Sequence, residues 1–83
     1  MLEVLRDPAK RVVGFKQTLR VLQQGRAAMV YLATDVDEHI KRKIMAACAE
    51  HGVELRSAGL PQRELGTLAQ IDVGAAVIAT LRA

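Results

Sequence analysis

Short apolar runs and helical apolar stripes alternate along this chain. The segment RVV at 11–13 is rich in β-branched residues and predicts a short strand. Phe15, Leu19 and Leu22 follow at i, i+4 and i+7, which is the spacing of an amphipathic helix. Gly25 is a typical helix terminator, so this helix is expected to end there.

The central part of the chain predicts a buried strand followed by a longer helix. AAMVYLAT at 27–34 is a continuous apolar run, as in a strand that is covered on both faces. DVDEHIKRKIMAACAEHG at 35–52 then predicts a helix that Asp35 or Asp37 can cap and Gly52 closes. Its expected buried stripe consists of Ile40, Ile44, Ala47 and Cys48.

The last third of the chain repeats this alternation. VELRS at 53–57 predicts a strand, LPQRELGTLAQ at 60–70 a helix, and GAAVIATL at 74–81 a second apolar strand. Gly66 is unusual within the helix, where it costs about 1 kcal/mol relative to alanine. At the other end, MLEVLR predicts a short helix that ends before Pro8. Together these elements predict an α/β fold with helices on both faces of a central, mixed, four-stranded sheet.

Length and composition restrict the possible classes of protein. The 83 residues are expected to form a single domain, with no linker, repeat or low-complexity segment. One cysteine and two histidines allow no internal disulfide and leave too few soft ligands for a zinc site. With no signal-peptide pattern and no apolar run near the length of about twenty residues that a membrane span needs, the expected location is the cytoplasm.

Positive charge is concentrated at the start of the chain. Residues 1–26 contain six cations and two acids, a net charge of +4, whereas the remaining 57 residues sum to −1. The six cations are Arg6, Lys10, Arg11, Lys16, Arg20 and Arg26. A basic segment of this kind is typical of proteins that bind a polyanion, but a solvated surface explains it equally well.

The residues that could support catalysis have simpler structural explanations. His39 and His51 lie about three helical turns apart and cannot share a metal ion. Cys48 falls on the apolar stripe and is expected to be a buried thiol. The acids at 35–38 suit the first turn of a helix, where they cap it and interact with its dipole. The sequence therefore predicts neither an enzyme nor a cofactor.

Two turns carry the case for RNA binding. Gly14 and Phe15 precede Lys16 and Gln17 at the start of a predicted helix, where unpaired amides and the positive end of the dipole can bind phosphate. Lys16 can donate to guanine O6 and N7, and Gln17 can donate and accept along a base edge. Arg20 projects to the same side one turn later.

The second turn, QIDVGAA at 70–76, precedes the last strand. Ile71 and Val73 flank Asp72 in a segment that should be a loop, and Gly74 follows. Two apolar side chains in a loop indicate either a contact surface or the closing of the core's edge.

The segments GFKQTLRVLQQG, RELG and IDVGAAVIA, in this order, resemble the kink-turn RNA-binding ribosomal proteins of the L7Ae/L30e type, especially their short bacterial members. The resemblance spans nearly the whole chain. It implies a three-layer α-β-α sandwich that binds a sharply bent RNA containing tandem sheared G·A pairs, in ribosomal or regulatory RNA, as a monomer when free.

The resemblance also implies a role for each turn. Gly14, Lys16, Gln17 and Arg20 would occupy the turn and helix that enter the major groove at the G·A pairs, and Phe15 would lie beside them at the RNA. The second set, which would pack against the protruding nucleotide, is Ile71, Asp72, Val73 and Gly74.

Two features depart from the family pattern. Many archaeal and eukaryotic relatives have Asn-Glu at the positions of Lys16-Gln17, and Phe15 replaces a small residue. Phe15 therefore either alters the approach to the RNA backbone or adds a stacking surface. The alternative functions are a protein-interaction module of the same fold and a small enzyme or accessory domain.

Overall fold

The computed structural model describes residues 2–83, so Met1, where the predicted N-terminal helix begins, lies outside the described residues. The structure contains a four-stranded sheet, three α-helices and one short 3₁₀ helix. In chain order the elements are the 3₁₀ helix Leu2–Arg6, β1 Arg11–Val13, α1 Phe15–Gln23, β2 Ala27–Leu32, α2 Glu38–His51, β3 Glu54–Ser57, α3 Gln62–Leu68 and β4 Val77–Leu81.

The sheet is mixed, as predicted, with strand order β1-β4-β2-β3. β4 pairs antiparallel with both β1 and β2, whereas β2 pairs parallel with β3. β1, β2 and β3 therefore run in the same direction, and their carboxyl ends meet the amino end of β4 at one edge of the sheet. We call this the upper edge, and we call the edge where β1 to β3 begin and β4 ends the lower edge.

Helices cover both faces of the sheet, which confirms the three-layer α-β-α sandwich. On one face α1 and α2 pack on β2 and β4, with Leu22 and Ile44 fully buried. On the other face α3 and the 3₁₀ helix pack around Leu65 and Leu5, which are also fully buried. Because the central strands are covered on both sides, their continuous apolar runs are needed to fill two cores.

Element ends differ from the predictions by a few residues. The N-terminal segment forms a 3₁₀ rather than an α-helix, and it ends before Pro8 as expected. β4 begins at Val77, directly after the turn expected at 70–76, although the apolar run starts at Gly74. The Ala75 N–H donates to the Gln62 carbonyl of α3 at 2.9 Å and so does not join the sheet. The segment 74–76 consequently belongs to the loop that precedes β4.

The two candidate capping residues of α2 serve two different helices. The Asp37 carboxylate is the N-cap of α2 and accepts from the His39 N–H at 3.4 Å. The Asp35 carboxylate accepts from the backbone N–H of Gln62, the first residue of α3, at 2.8 Å. The Gln62 side-chain amide donates in return to the Asp35 carbonyl at 3.1 Å. Asp35 thus ties α3 to the β2–α2 loop.

None of the helices in the described chain combines the length and the apolar character that crossing a membrane requires.

Candidate nucleic-acid interface

The turn between β1 and α1 depends on Gly14. This residue adopts φ +104° and ψ 162°, a conformation that side chains with a Cβ rarely adopt, and a Cβ placed on it would meet no atom within 4 Å. Its N–H donates to the Val77 carbonyl at 2.9 Å, and its carbonyl accepts from the Thr18 N–H at 3.0 Å. Glycine is therefore needed at position 14 for its backbone conformation, and not because a side chain there would collide with other atoms.

The amino end of α1 is open. No side chain among residues 2–83 caps it, and its first turn contains no acid. The backbone N–H groups of Phe15, Lys16 and Gln17 have no protein acceptor among the described residues. In contrast, carboxylates accept from backbone N–H groups at the start of both α2 and α3. Three free N–H groups and the positive end of the helix dipole form a favourable site for an anion.

The side chains around this open turn suit base and phosphate contacts. Lys16, Gln17 and Arg20 are exposed, whereas Thr18 is fully buried behind them. Within the described chain neither Lys16 nor Arg20 forms an ion pair. Both cations and the amide are therefore available to a ligand on one side of α1.

Phe15 does not present a free stacking surface. It is half-buried and packs against the core between α1, α2 and the sheet. The ammonium Nζ of Lys43, on α2, lies 6.0 Å from the centroid of its ring. The ring thus belongs to the contact between α1 and α2, and sequence reasoning did not associate Lys43 with it.

The loop before β4 starts from a Schellman motif at the end of α3. The N–H of Gln70 donates to the Thr67 carbonyl and that of Ile71 to the Gly66 carbonyl, both at 3.0 Å. Gln70 has φ +62°, in the left-handed region where glycine is usual at this position. The motif turns the chain sharply and directs Ile71 back toward the core.

The four predicted residues of this loop divide into two groups. Ile71 is half-buried and packs against the core beneath α3, so its apolar side chain helps to close that core. Asp72, Val73 and Gly74 are exposed, and 70% of the surface of Val73 is accessible. Val73 is thus an exposed apolar side chain on a loop with a defined conformation.

The two turns meet at the upper edge of the sheet. β1 pairs with β4, and the hydrogen bond from Gly14 to Val77 joins the start of α1 to the first residue after the loop. Sequence reasoning proposed the two turns separately, and the antiparallel pairing of β1 with β4 brings them together.

The N-terminal cations do not form one surface, contrary to the simplest interpretation of the charge distribution. Lys10 and Arg26 lie at the lower edge, where β1 and β2 begin. Arg82 joins them there, since its N–H donates to the Arg26 carbonyl at 2.8 Å. The Arg11 guanidinium has a structural role, because it donates to the carbonyls of Leu5 and Ala69 at 2.8 and 2.9 Å.

The residues considered for catalysis lie apart from one another. His39 and His51 are exposed at opposite ends of α2, and the described residues contain no group of three or more potential metal ligands. Cys48 is buried, and burial raises the pKa of its thiol, which keeps it protonated and unreactive.

A cleft between α2 and β3 was not predicted from the sequence. It has a volume of about 450 Å³, and its walls include Val36, Lys41, Met45 and Leu55. None of the nine residues predicted to contact RNA lines it.

The sequence profile of one protein family matches residues 1–83, the whole of the chain. The chain belongs to the ribosomal protein L7Ae/L30e/S12e/Gadd45 family.

Several L7Ae-family relatives are of similar length. An RNA-binding protein of Caldanaerobacter subterraneus is 46% identical over 72 residues, which cover 87% of each chain. The RNA-binding protein YbxF of Geobacillus stearothermophilus is 39% identical over 96% of each chain. The large ribosomal subunit protein eL8 of Halobacterium salinarum is 35% identical over 99% of this chain and 68% of its own. These names are those of RNA-binding and ribosomal proteins, in agreement with the expectation that this chain is not an enzyme.

Solved structures of low sequence identity share the fold. A Bacillus halodurans protein of unknown function has a TM-score of 0.87 at 22% identity, over 99% of this chain and 84% of that one. The Giardia lamblia 15.5kD RNA binding protein has a TM-score of 0.84 at 21% identity, over 99% and 71% of the two chains.

Proposed function

We propose that this chain binds structured RNA and recognises a kink-turn, as a ribosomal or ribosome-associated protein. The single observation that supports this best is the hydrogen bond from the Gly14 N–H to the Val77 carbonyl, at 2.9 Å. It holds the uncapped start of α1 beside the loop that carries Val73. Two relatives of similar length, which are 46% and 39% identical to this chain, are named RNA-binding proteins.

The two turns of the proposed site bind different parts of the RNA. The free N–H groups at the start of α1 bind a phosphate, because they lack protein acceptors and lie at the positive end of the helix. Lys16 donates to guanine O6 and N7 in the sheared G·A pairs, and Gln17 both donates to and accepts from a base edge. Arg20 supplies a further charge one turn along.

The loop at 71–74 meets the protruding nucleotide. The exposed side chain of Val73 packs on its base. Gly74 lets the loop lie close to α3, since a Cβ placed on it would come within 3.3 Å of the Gln62 carbonyl oxygen. Ile71, which is half-buried, supports the loop from the core side. RNA that is bent and partly unstacked offers such a base, whereas the bases of a straight duplex are stacked and paired.

A titration against two RNAs of equal length tests this proposal. One contains a kink-turn with tandem G·A pairs, and the other replaces those pairs by Watson–Crick pairs and stays straight. The kink-turn RNA is expected to bind more than tenfold more tightly. Equal affinity for both RNAs would overturn the kink-turn proposal and leave an unspecific RNA-binding protein. Binding to neither RNA would favour a protein-interaction module of the same fold.

A further inference from the structure

Three consecutive cations on α2 extend in three different directions. Lys41 lines the cleft between α2 and β3. Arg42 forms an ion pair with Glu38, one turn earlier, at 3.8 Å. Lys43 reaches toward α1, where its Nζ lies 6.0 Å from the centroid of the Phe15 ring. The three positions thus differ in surroundings although they are adjacent and carry the same charge.

Phe15 connects Lys43 to the open turn. It is the first residue of α1, its N–H is one of the three free donors, and it follows Gly14 directly. Its ring is half-buried against the core and therefore has few alternative positions. A cation above such a ring is attracted by the negative charge of the ring face, although 6.0 Å is near the limit of this interaction.

Among the described residues, no acid forms an ion pair with Lys43. The ion pairs in the described part of the chain join Arg42 to Glu38 and Arg56 to Glu54, and Lys43 itself is exposed. Its ammonium group lies over the Phe15 ring, near the amino end of α1, and keeps its hydrogen-bonding capacity for a ligand. Prior positioning lowers the entropy that a flexible lysine loses when it binds.

We propose that Lys43 extends the RNA surface from α1 across to α2 and contacts a phosphate of the RNA strand at the open turn. This inference rests on the proposed RNA binding of the Gly14–Gln17 turn and adds a residue from a different element. Phe15 acts as a positioning residue, since it places the cation without contacting RNA through its ring.

The test compares Lys43→Met with Arg42→Met. Each change removes one positive charge from the same helix and keeps a long apolar side chain, but only Lys43 faces the turn. Lys43→Met is expected to weaken RNA binding by about three- to tenfold at 50 mM salt and to reduce the slope of log affinity against log salt by about 0.7–0.9, the contribution of one phosphate. Arg42→Met is expected to change the affinity less than twofold and to leave the slope as in the parent.

Two further variants separate a phosphate contact from a structural effect. Lys43→Arg keeps the charge, and a guanidinium is also attracted to an aromatic face, so this variant should keep the affinity and the slope close to those of the parent. Phe15→Leu keeps an apolar side chain but removes the ring, and it should produce part of the loss seen with Lys43→Met. Thermal melting of every variant shows whether the fold is intact.

Equal effects of Lys43→Met and Arg42→Met on affinity and slope would overturn the proposal. A loss of affinity with an unchanged slope would also overturn it, since the effect would then not involve a phosphate. A different result would contradict the proposed kink-turn recognition: equal affinity of the parent protein for the kink-turn RNA and the straight RNA. In that case the slope measured on the straight RNA still decides the role of Lys43.

Discussion

Gly66 of α3 lies directly against the carbonyl oxygen of Val73, and a Cβ placed on Gly66 would come within 2.1 Å of that oxygen. This contact explains a glycine inside a helix, which the sequence alone presented only as a cost. The Schellman motif and the hydrogen bond from Ala75 to Gln62 hold the rest of the loop on the same helix. The conformation of the loop therefore depends on the absence of a side chain at position 66.

Gly66→Ala should displace the loop and destabilise the fold. Helix propensity alone predicts the opposite, a gain of about 1 kcal/mol. The overlap with Val73 is with backbone, which cannot rotate away, so we expect a lower melting temperature and weaker RNA binding. Thr67→Ala, at the exposed neighbouring position, is the matched control. It should change neither the melting temperature nor the RNA affinity strongly. A higher melting temperature for Gly66→Ala would show that the loop is not packed on α3 in solution.

Ile71 and Val73 should respond differently to serine. Val73 is 70% exposed, and Val73→Ser is expected to change stability by less than about 0.5 kcal/mol while weakening RNA binding. Ile71 packs on the core, and Ile71→Ser should cost about 1–3 kcal/mol. Chemical denaturation and RNA titration of both variants measure the two effects. If Val73→Ser binds RNA as tightly as the parent, the loop does not contact the protruding nucleotide.

Cations at the two edges of the sheet should contribute unequally to RNA recognition. Lys16→Ala combined with Gln17→Ala removes groups at the upper edge and should abolish the preference for kink-turn RNA, since a good base contact is worth about 1–3 kcal/mol of discrimination. Lys10→Ala combined with Arg26→Ala removes charge at the lower edge. This second pair should lower the affinities for both RNAs by similar, small factors. A collapse of the preference in the second pair would contradict the placement of the site.

Asp35 should stabilise α3 rather than the helix that follows it in sequence. Its carboxylate accepts from the Gln62 N–H at 2.8 Å, and loss of such a cap costs about 0.5–2 kcal/mol. Asp35→Ala is therefore expected to lower stability and to increase hydrogen exchange in α3. Asp37→Ala, the matched change at the N-cap of α2, should affect α2 instead. Faster exchange in α2 for Asp35→Ala would contradict this assignment.

The pKa of Cys48 implies a dependence of stability on alkaline pH. Burial raises the pKa of this thiol above its ordinary value of 9.0, so the unfolded chain ionises first as the pH rises. The stability associated with the neutral thiol is complete below pH 9.0 and declines as the pH rises from there through the folded-state pKa. The difference in unfolding free energy between the parent and Cys48→Ala should shrink over that range. A constant difference up to pH about 11 would indicate that the thiol is not desolvated.

The local sequence determined most of the secondary structure. The spacing of Phe15, Leu19 and Leu22 places one face of α1 on the core, and Gly52 ends α2 in a left-handed conformation. The open turn at Gly14 was also predictable, because glycine and the absence of a capping side chain are visible in the sequence. These features depend on neighbours within a few residues, and such interactions follow directly from residue order.

Tertiary structure decided which of these features act together. The order of the strands places the Gly14 turn beside the loop at 71–74, and it moves Lys10 and Arg26 to the other edge. Contacts between elements decided the rest: α3 excludes a side chain at Gly66, and α2 supplies Lys43 to the ring of Phe15. Hydrophobic periodicity reports which face of an element is buried. It carries no information about which distant element packs there, and the composition of the site follows from that packing.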